Sequence, residues 1–367
     1  MMIMKKLLLL STLALTIFLA GCQENEPGPA TGPAGPETLL LKNFRPESIY
    51  QIPVTKVEKA MYPVIDMHSH AYARSGEDID TWISTMDAKG IEKTIVLSKE
   101  HGRRFDSVFD AYSKHPGRFE VWCGFDYSTF EDPGFPDAAI KELERCCHKG
   151  AKGVGELGDK GKGMFYSKPP AWGMHADDPR MDALWEKCGE LGMPVSIHVA
   201  DPMWMYEPMD STNDGLMNAY SWRLDNQPDI VGHQGMIDIL ERTLKKHPNT
   251  TFIACHLANC CYDLSIVAGM LDAYPNLYLD ISARYSELCA IPRASAKFVE
   301  DYQDRIVYGT DMGMSPDMYE ITFRLLETAD EHIYNDNFSY HWPLHGLNLP
   351  ENVLEKIYRT NAMKLTK

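Results

Sequence analysis

Two histidines at i and i+2, in Val64-Ile65-Asp66-Met67-His68-Ser69-His70, follow a short apolar run. On a β-strand that spacing sends both imidazoles to one side. Neutral imidazole binds zinc and neighbouring divalent metals. Two such groups at the end of a buried strand are costly to bury without a partner. Three further apolar runs end in a ligand-type residue: 194–197 runs into His198, 251–255 into His256, and 304–310 into Asp311. Lys152-Gly153-Val154-Gly155-Glu156 supplies another candidate. Strand ends of this kind, in this order, point to a metal site. A divalent cation there lowers the pKa of its water and polarises a substrate oxygen. Three or four protein ligands leave a position open for water or substrate. Asp66 is expected on the same side as His68, either accepting a hydrogen bond from a ligand or fixing the start of the strand.

These residues need elements to position them. Strands are expected at 63–68, 93–98, 119–125, 151–156, 194–199, 251–256, 277–281 and 305–310. Each is short and mostly apolar throughout, as in a parallel sheet buried on both faces. Helices are expected at 77–89, 137–148, 180–191, 237–246, 298–302 and 319–328, with stop signals at Lys89-Gly90, His115-Pro116-Gly117, Lys149-Gly150 and His247-Pro248. His115, His148 and His247 beside those stops read as helix-end cations rather than ligands. Alternating strands and helices in this number predict an α/β fold, a (β/α)8 TIM barrel with long loops after strands 4 and 5. A doubly wound sheet would not bring the ends of strands 1, 4, 5, 6 and 8 around one point.

The connection after His198 runs for nearly forty residues before the next helix. It holds Met203, Trp204, Met205, Tyr206, Tyr220, Trp222, Arg223 and His233. A loop this long is a lid, a substrate wall or an excursion on the rim. A second insert, 158–179, carries Lys160, Lys162, Tyr166, Trp172 and His175, and the aromatic segment 333–345 is expected to help cover the site. Substrate-binding candidates are Trp204 and Arg223 in the loop, and Arg284 and Asn259 near strands 7 and 6. A guanidinium at Arg284 can hold a carboxylate bidentately, or pair with a loop carboxylate.

The ordered set His68-x-His70, Glu156, His198, His256, Asp311 resembles the amidohydrolase superfamily of metal-dependent barrels. Gly309-Thr310-Asp311 and the closing Ile357-Tyr358-Arg359-Thr360-Asn361-Ala362 are most similar to its amidohydrolase-2 branch. The resemblance implies that His68, His70 and Asp311 bind one metal, that Asp311 accepts a proton from that metal's water, and that His198 is a ligand. It implies that His256 is a ligand or a general acid/base, and that Glu156 stands where many members carry a bridging carboxylate. One or two divalent ions are implied, Zn2+ first, with Mn2+ or Fe2+ as alternatives. The expected reaction is attack of metal-activated water on an amide, ester or lactone bond of a small molecule. The alternative, also found in the branch, is non-oxidative decarboxylation of an unsaturated or aromatic acid. A non-catalytic binding protein would not need all these ligands.

Residues 1–21 read as a signal peptide: Lys5 and Lys6, an apolar stretch too short to span a bilayer comfortably, then Leu19-Ala20-Gly21-Cys22. The ending resembles the lipobox of bacterial lipoproteins, which implies a lipid anchor at Cys22 and a place in the cell envelope, on the periplasmic face or at the outer membrane. Residues 22–45 read as a flexible tether and 46–367 as the barrel domain. A net charge of −16 argues against nucleic acid as partner. Composition is that of an ordinary globular protein, with 24% charged residues. Eight cysteines besides Cys22 are expected as mostly buried free thiols. Barrels with aromatic-rich loops often form dimers, so a homodimer is among the expected states.

Overall fold

The computed structural model describes residues 35–165 and 169–366. Cys22, the lipobox and most of the tether lie outside the described residues, as does Tyr166. The chain divides between Phe44 and Arg45 into two units. Of the first, one 3-10 turn, Leu41–Asn43, is described. Among the described residues no helix is long and apolar enough to cross a membrane.

In the second unit eight parallel strands occur where the apolar runs place them. They are β1 (Val64–Ser69), β2 (Ile91–Leu97), β3 (Phe119–Trp122), β4 (Val154–Asp159), β5 (Val195–Val199), β6 (Phe252–Ala254), β7 (Leu277–Asp280) and β8 (Ile306–Val307). Strands β1 to β3 pair in order, and β4 to β8 pair in order. Two seams join these arcs. A parallel bridge links Cys123 to Val154. At the other seam Met67 N donates to Tyr308 O (3.0 Å) and Asp311 N to His68 O (2.8 Å). These contacts close the ring into the expected TIM barrel.

The inside of the ring is filled by Ile65, Met67, Ile95, Leu97, Trp122, Ile253 and Val307, with Ala362 and Leu365 of the C-terminal segment packed against them. Gly153 makes room for this core: a Cβ there would stand 2.4 Å from the Trp122 ring. Alternate strand residues such as Val64, Val96 and Val121 face the helices. Those helices are α1 (Gly76–Lys89), α2 (Gly102–Tyr112), α3 (Phe135–Lys149), α4 (Asp182–Leu191), α5 (His233–Lys246), α6 (Leu264–Ala273), α7 (Pro292–Asp301) and α8 (Pro316–Glu327). Their ends follow local chemistry. α1 begins on a Ser75/Asp78 capping box and ends at Gly90 in the left-handed region (φ 83°). His148 Nδ1 donates to Glu144 O (2.7 Å) in the last turn of α3. His247 instead is buried, with Nε2 on Asp182 Oδ1 (3.0 Å). α2 and α6 are additions to the helices expected from the sequence.

The insert after β4 holds a two-stranded antiparallel hairpin, Gly163–Met164 against Ala171–Trp172. The long connection after β5 is irregular but has its own small core of Met205, Ala219 and Leu224. Cys123, Cys146, Cys147, Cys188, Cys255, Cys260, Cys261 and Cys289 are free thiols, all but Cys147 buried.

Candidate metal centre

The C-terminal ends of the strands form one mouth, where barrel active sites sit. His68 is in β1 and His70 just beyond it, Glu156 in β4, His198 in β5, His256 just after β6 and Asp311 just after β8. Backbone in the left-handed region concentrates here: Lys99, Ala200, His256 to Asn259, Ala283 and Asp311 all have φ between 49° and 63°. Gly309 lets β8 approach β1, since a Cβ there would lie 2.7 Å from His68 Cβ.

Each of the four imidazoles is gripped by one nitrogen and aims the other at the carboxylates of the centre. His70 Nδ1 donates to Leu97 O (2.8 Å) and His256 Nδ1 to Ser282 O (2.9 Å). His68 Nδ1 meets Asp280 Oδ2 (3.0 Å), and His198 Nε2 meets Asp201 Oδ1 (3.1 Å). Carbonyls and carboxylates only accept, so the bound nitrogens of His68, His70 and His256 carry protons and each ring, when neutral, turns a lone pair inward; both nitrogens of His198 meet carboxylates, Nδ1 on Glu156 and Nε2 on Asp201. The inward nitrogens face two carboxylates. Asp311 Oδ1 lies 3.1 Å from His70 Nε2 and 3.6 Å from His68 Nε2. Glu156 Oε1 lies 2.8 Å from His198 Nδ1, 3.3 Å from His256 Nε2 and 3.8 Å from His68 Nε2. His68 Nε2 is buried without a hydrogen-bond partner.

Lone pairs aimed at carboxylates repel unless positive charge stands between them. His68, Glu156 and His256 form one compact ligand group, and His68, His70 and Asp311 another. This donor set fits a divalent cation. A third group, His68 with Cys255 and Asp280, fits poorly: burial pushes the Cys255 thiol up to about 12, and a thiol must ionise to bind metal.

The electrostatics favour charge of the same kind. Burial works against a charged His68, but the Asp280 and Asp311 carboxylates hold its imidazole well above its ordinary range. Burial opposes ionisation of Glu156 and Asp311 as well, yet the histidines around them keep both carboxyls low. Burial drives His256 down to about 4.

Several partners lie beyond what the sequence pattern indicates. Asp280 holds His68 and accepts from His256 N (3.0 Å) and Ser282 N (3.0 Å). Asp201 is itself paired with Lys160 (2.9 Å). Lys99, after β2, places Nζ 2.5 Å from Glu156 Oε2. Tyr72 donates to the Asp311 carbonyl. The polar run Asp280-Ile281-Ser282 at a strand end is a usable signal; Lys99 gives none. Asp66 reaches no imidazole side chain. It accepts from His68 N (3.2 Å), Thr310 N (3.1 Å) and Thr310 Oγ1 (2.8 Å), and so pins β1 to β8.

Among the substrate-binding candidates, Arg284 and Asn259 meet each other. Asn259 Oδ1 accepts from Arg284 Nε (3.0 Å), while Asn259 Nδ2 donates to Val199 O and Ala200 O. Glu287 stands 3.6 Å from Arg284 Nη1. Trp204 packs beside Trp342 (ring centroids 5.6 Å), bringing the loop to the aromatic tail. Arg223 pairs with Asp225 in its own loop (2.7 Å) and lies over the Tyr220 ring.

Solved structures similar to this chain include an uncharacterised TIM-barrel protein from Bordetella bronchiseptica (17% identity, TM-score 0.51, covering 82% of this chain and 97% of that one). Others are a zinc-bound amidohydrolase from Burkholderia multivorans (11%, TM-score 0.49, 82% and 98%) and the IDCase of Metarhizium anisopliae (13%, TM-score 0.46, 82% and 96%). No curated protein matches the sequence. The amidohydrolase family model matches residues 65–366, and the chain belongs to that family.

Proposed function

We propose that this protein is a metal-dependent hydrolase that cleaves an amide, ester or lactone bond of a small molecule. One observation carries the reading: a carboxylate, Asp311, stands at the mouth beside His70, placed to take a proton from water. Asp311 is ionised and about a quarter exposed, at 28%. His256 has its proton committed to Ser282 O. Hydrolysis needs a group that takes a proton from water, whereas decarboxylation needs one that delivers a proton to carbon.

In this reading His68, His70 and Asp311 hold the cation, most readily Zn2+, with Glu156, His198 and His256 as further ligand candidates. When bound, the cation acidifies water and polarises the substrate oxygen. Asp311 accepts the proton at its carboxylate. Asp280, Ser282, Leu97 O and Asp201 hold the imidazoles in the tautomers that point lone pairs inward. Arg284, steadied by Asn259, receives an acidic substrate group, and Trp204 with Trp342 forms an apolar wall. The enzyme works at the cell envelope, tethered by lipid on Cys22.

Turnover of amide, ester and lactone panels in heavy-oxygen water tests the reading. We expect the label in the product carboxylate. Carbon dioxide release from unsaturated or aromatic acids, without label uptake, would replace hydrolysis by decarboxylation.

A further inference from the structure

We infer that the Lys99 ammonium takes the place of a second cation on Glu156, so that the centre accepts a single divalent ion. The inference rests on the metal-centre reading above. Glu156 has both oxygens engaged: Oε2 by Lys99 Nζ at 2.5 Å, Oε1 by His198 Nδ1 at 2.8 Å. An ion using Glu156 as a bridge would displace the ammonium or sit against it, charge to like charge.

The lysine is built into this position. Its backbone is left-handed (φ 60°), and its N–H donates to Gly155 O (3.1 Å), the residue before Glu156. That turn requires Gly124: a Cβ there would lie 2.3 Å from Lys99 O. The chain therefore fixes the stem of Lys99 to β4 beside the carboxylate it meets.

Charge counting leads to the same number. Four carboxylates surround the imidazoles: Glu156, Asp201, Asp280 and Asp311. Lys99 neutralises Glu156, and Lys160 neutralises Asp201 (2.9 Å). Ligation requires neutral imidazoles, and with them neutral Asp280 and Asp311 remain uncompensated in a buried site, which is costly. One divalent ion balances them, and the His68, His70 and Asp311 group lies where it would do so.

The test is metal content per chain after equilibration with zinc or manganese and removal of excess. Wild type, Lys99→Met, Lys99→Arg and Glu156→Gln are compared, with circular dichroism to confirm folding. We expect one equivalent in wild type and Lys99→Arg, two in Lys99→Met, and one retained in Glu156→Gln. Two equivalents in wild type, or one in folded Lys99→Met, would overturn the role of Lys99 while leaving the metal centre intact. Should Lys99→Met not fold, loss of the ion from Glu156→Gln would overturn it instead. No metal in any of them would overturn the centre itself.

Discussion

His68, His70, His198 and His256 differ from ordinary buried histidines in how their protons are assigned. His68, His70 and His256 each give one N–H to a fixed acceptor and aim the other nitrogen toward Asp311 or Glu156, while His198 lies between the Glu156 and Asp201 carboxylates. The ligand types themselves are legible in the sequence, because a histidine or carboxylate closing an apolar run is costly to bury unless it binds something. Their partners are not. Asp280 reaches His68 from a strand more than two hundred residues away, and Lys99 reaches Glu156 across two strand ends. Those pairings depend on register around the barrel, which no local pattern carries. Asp311→Asn should lower kcat about 10²- to 10⁴-fold with the melting temperature nearly unchanged; kinetics beside a thermal scan decides this. The His256 shift gives a pH dependence in chelator-treated protein. Its folded pKa is about 4 against an ordinary 6.5, so the unfolded chain binds more protons between those values. Stability present above pH 6.5 is therefore lost as pH falls toward 4, by roughly 3 kcal/mol. Urea unfolding at several pH values should show this slope, and His256→Asn should flatten it.

All eight strands are readable as elements, since doubly buried strands are continuous apolar runs. Two helices escape the sequence reading for different reasons. α2 carries an amphipathic pattern, Phe105, Val108, Phe109 and Tyr112, but no side chain caps its start to mark it. α6 is apolar nearly all round, which hides its period. The short hairpin after β4 has two-residue strands, below what alternation can signal. Loop behaviour is less readable still: the segment after β5 stabilises itself through Met205, Ala219 and Leu224 rather than through regular structure. Gly153 marks where strand and core constrain each other. Gly153→Ala should destabilise the barrel by about 1–3 kcal/mol, because the Trp122 ring is enclosed by the other strands and cannot yield. Denaturant titration at fixed m-value would measure it; an unchanged midpoint would mean that the ring moves freely.

At the scale of the whole molecule, a parallel barrel gathers residues from β1, β4, β5, β6 and β8 into one mouth, and that convergence turns separate strand ends into a site. In the proposed reading, lipid on Cys22 ties that barrel to a membrane surface. Cys22→Ser should then shift the protein from the membrane fraction to the soluble one, as fractionation and immunoblotting of expressing cells would report. The central claim is that the barrel holds a catalytic divalent cation through its first and last strands. Elemental analysis of protein purified without added metal, for wild type and His70→Ala, tests it most directly. We predict zinc, manganese or iron at one equivalent per chain in wild type and its near-complete loss in the variant. Metal-free wild type that cannot be reloaded, or full metal retention by His70→Ala, would contradict the account.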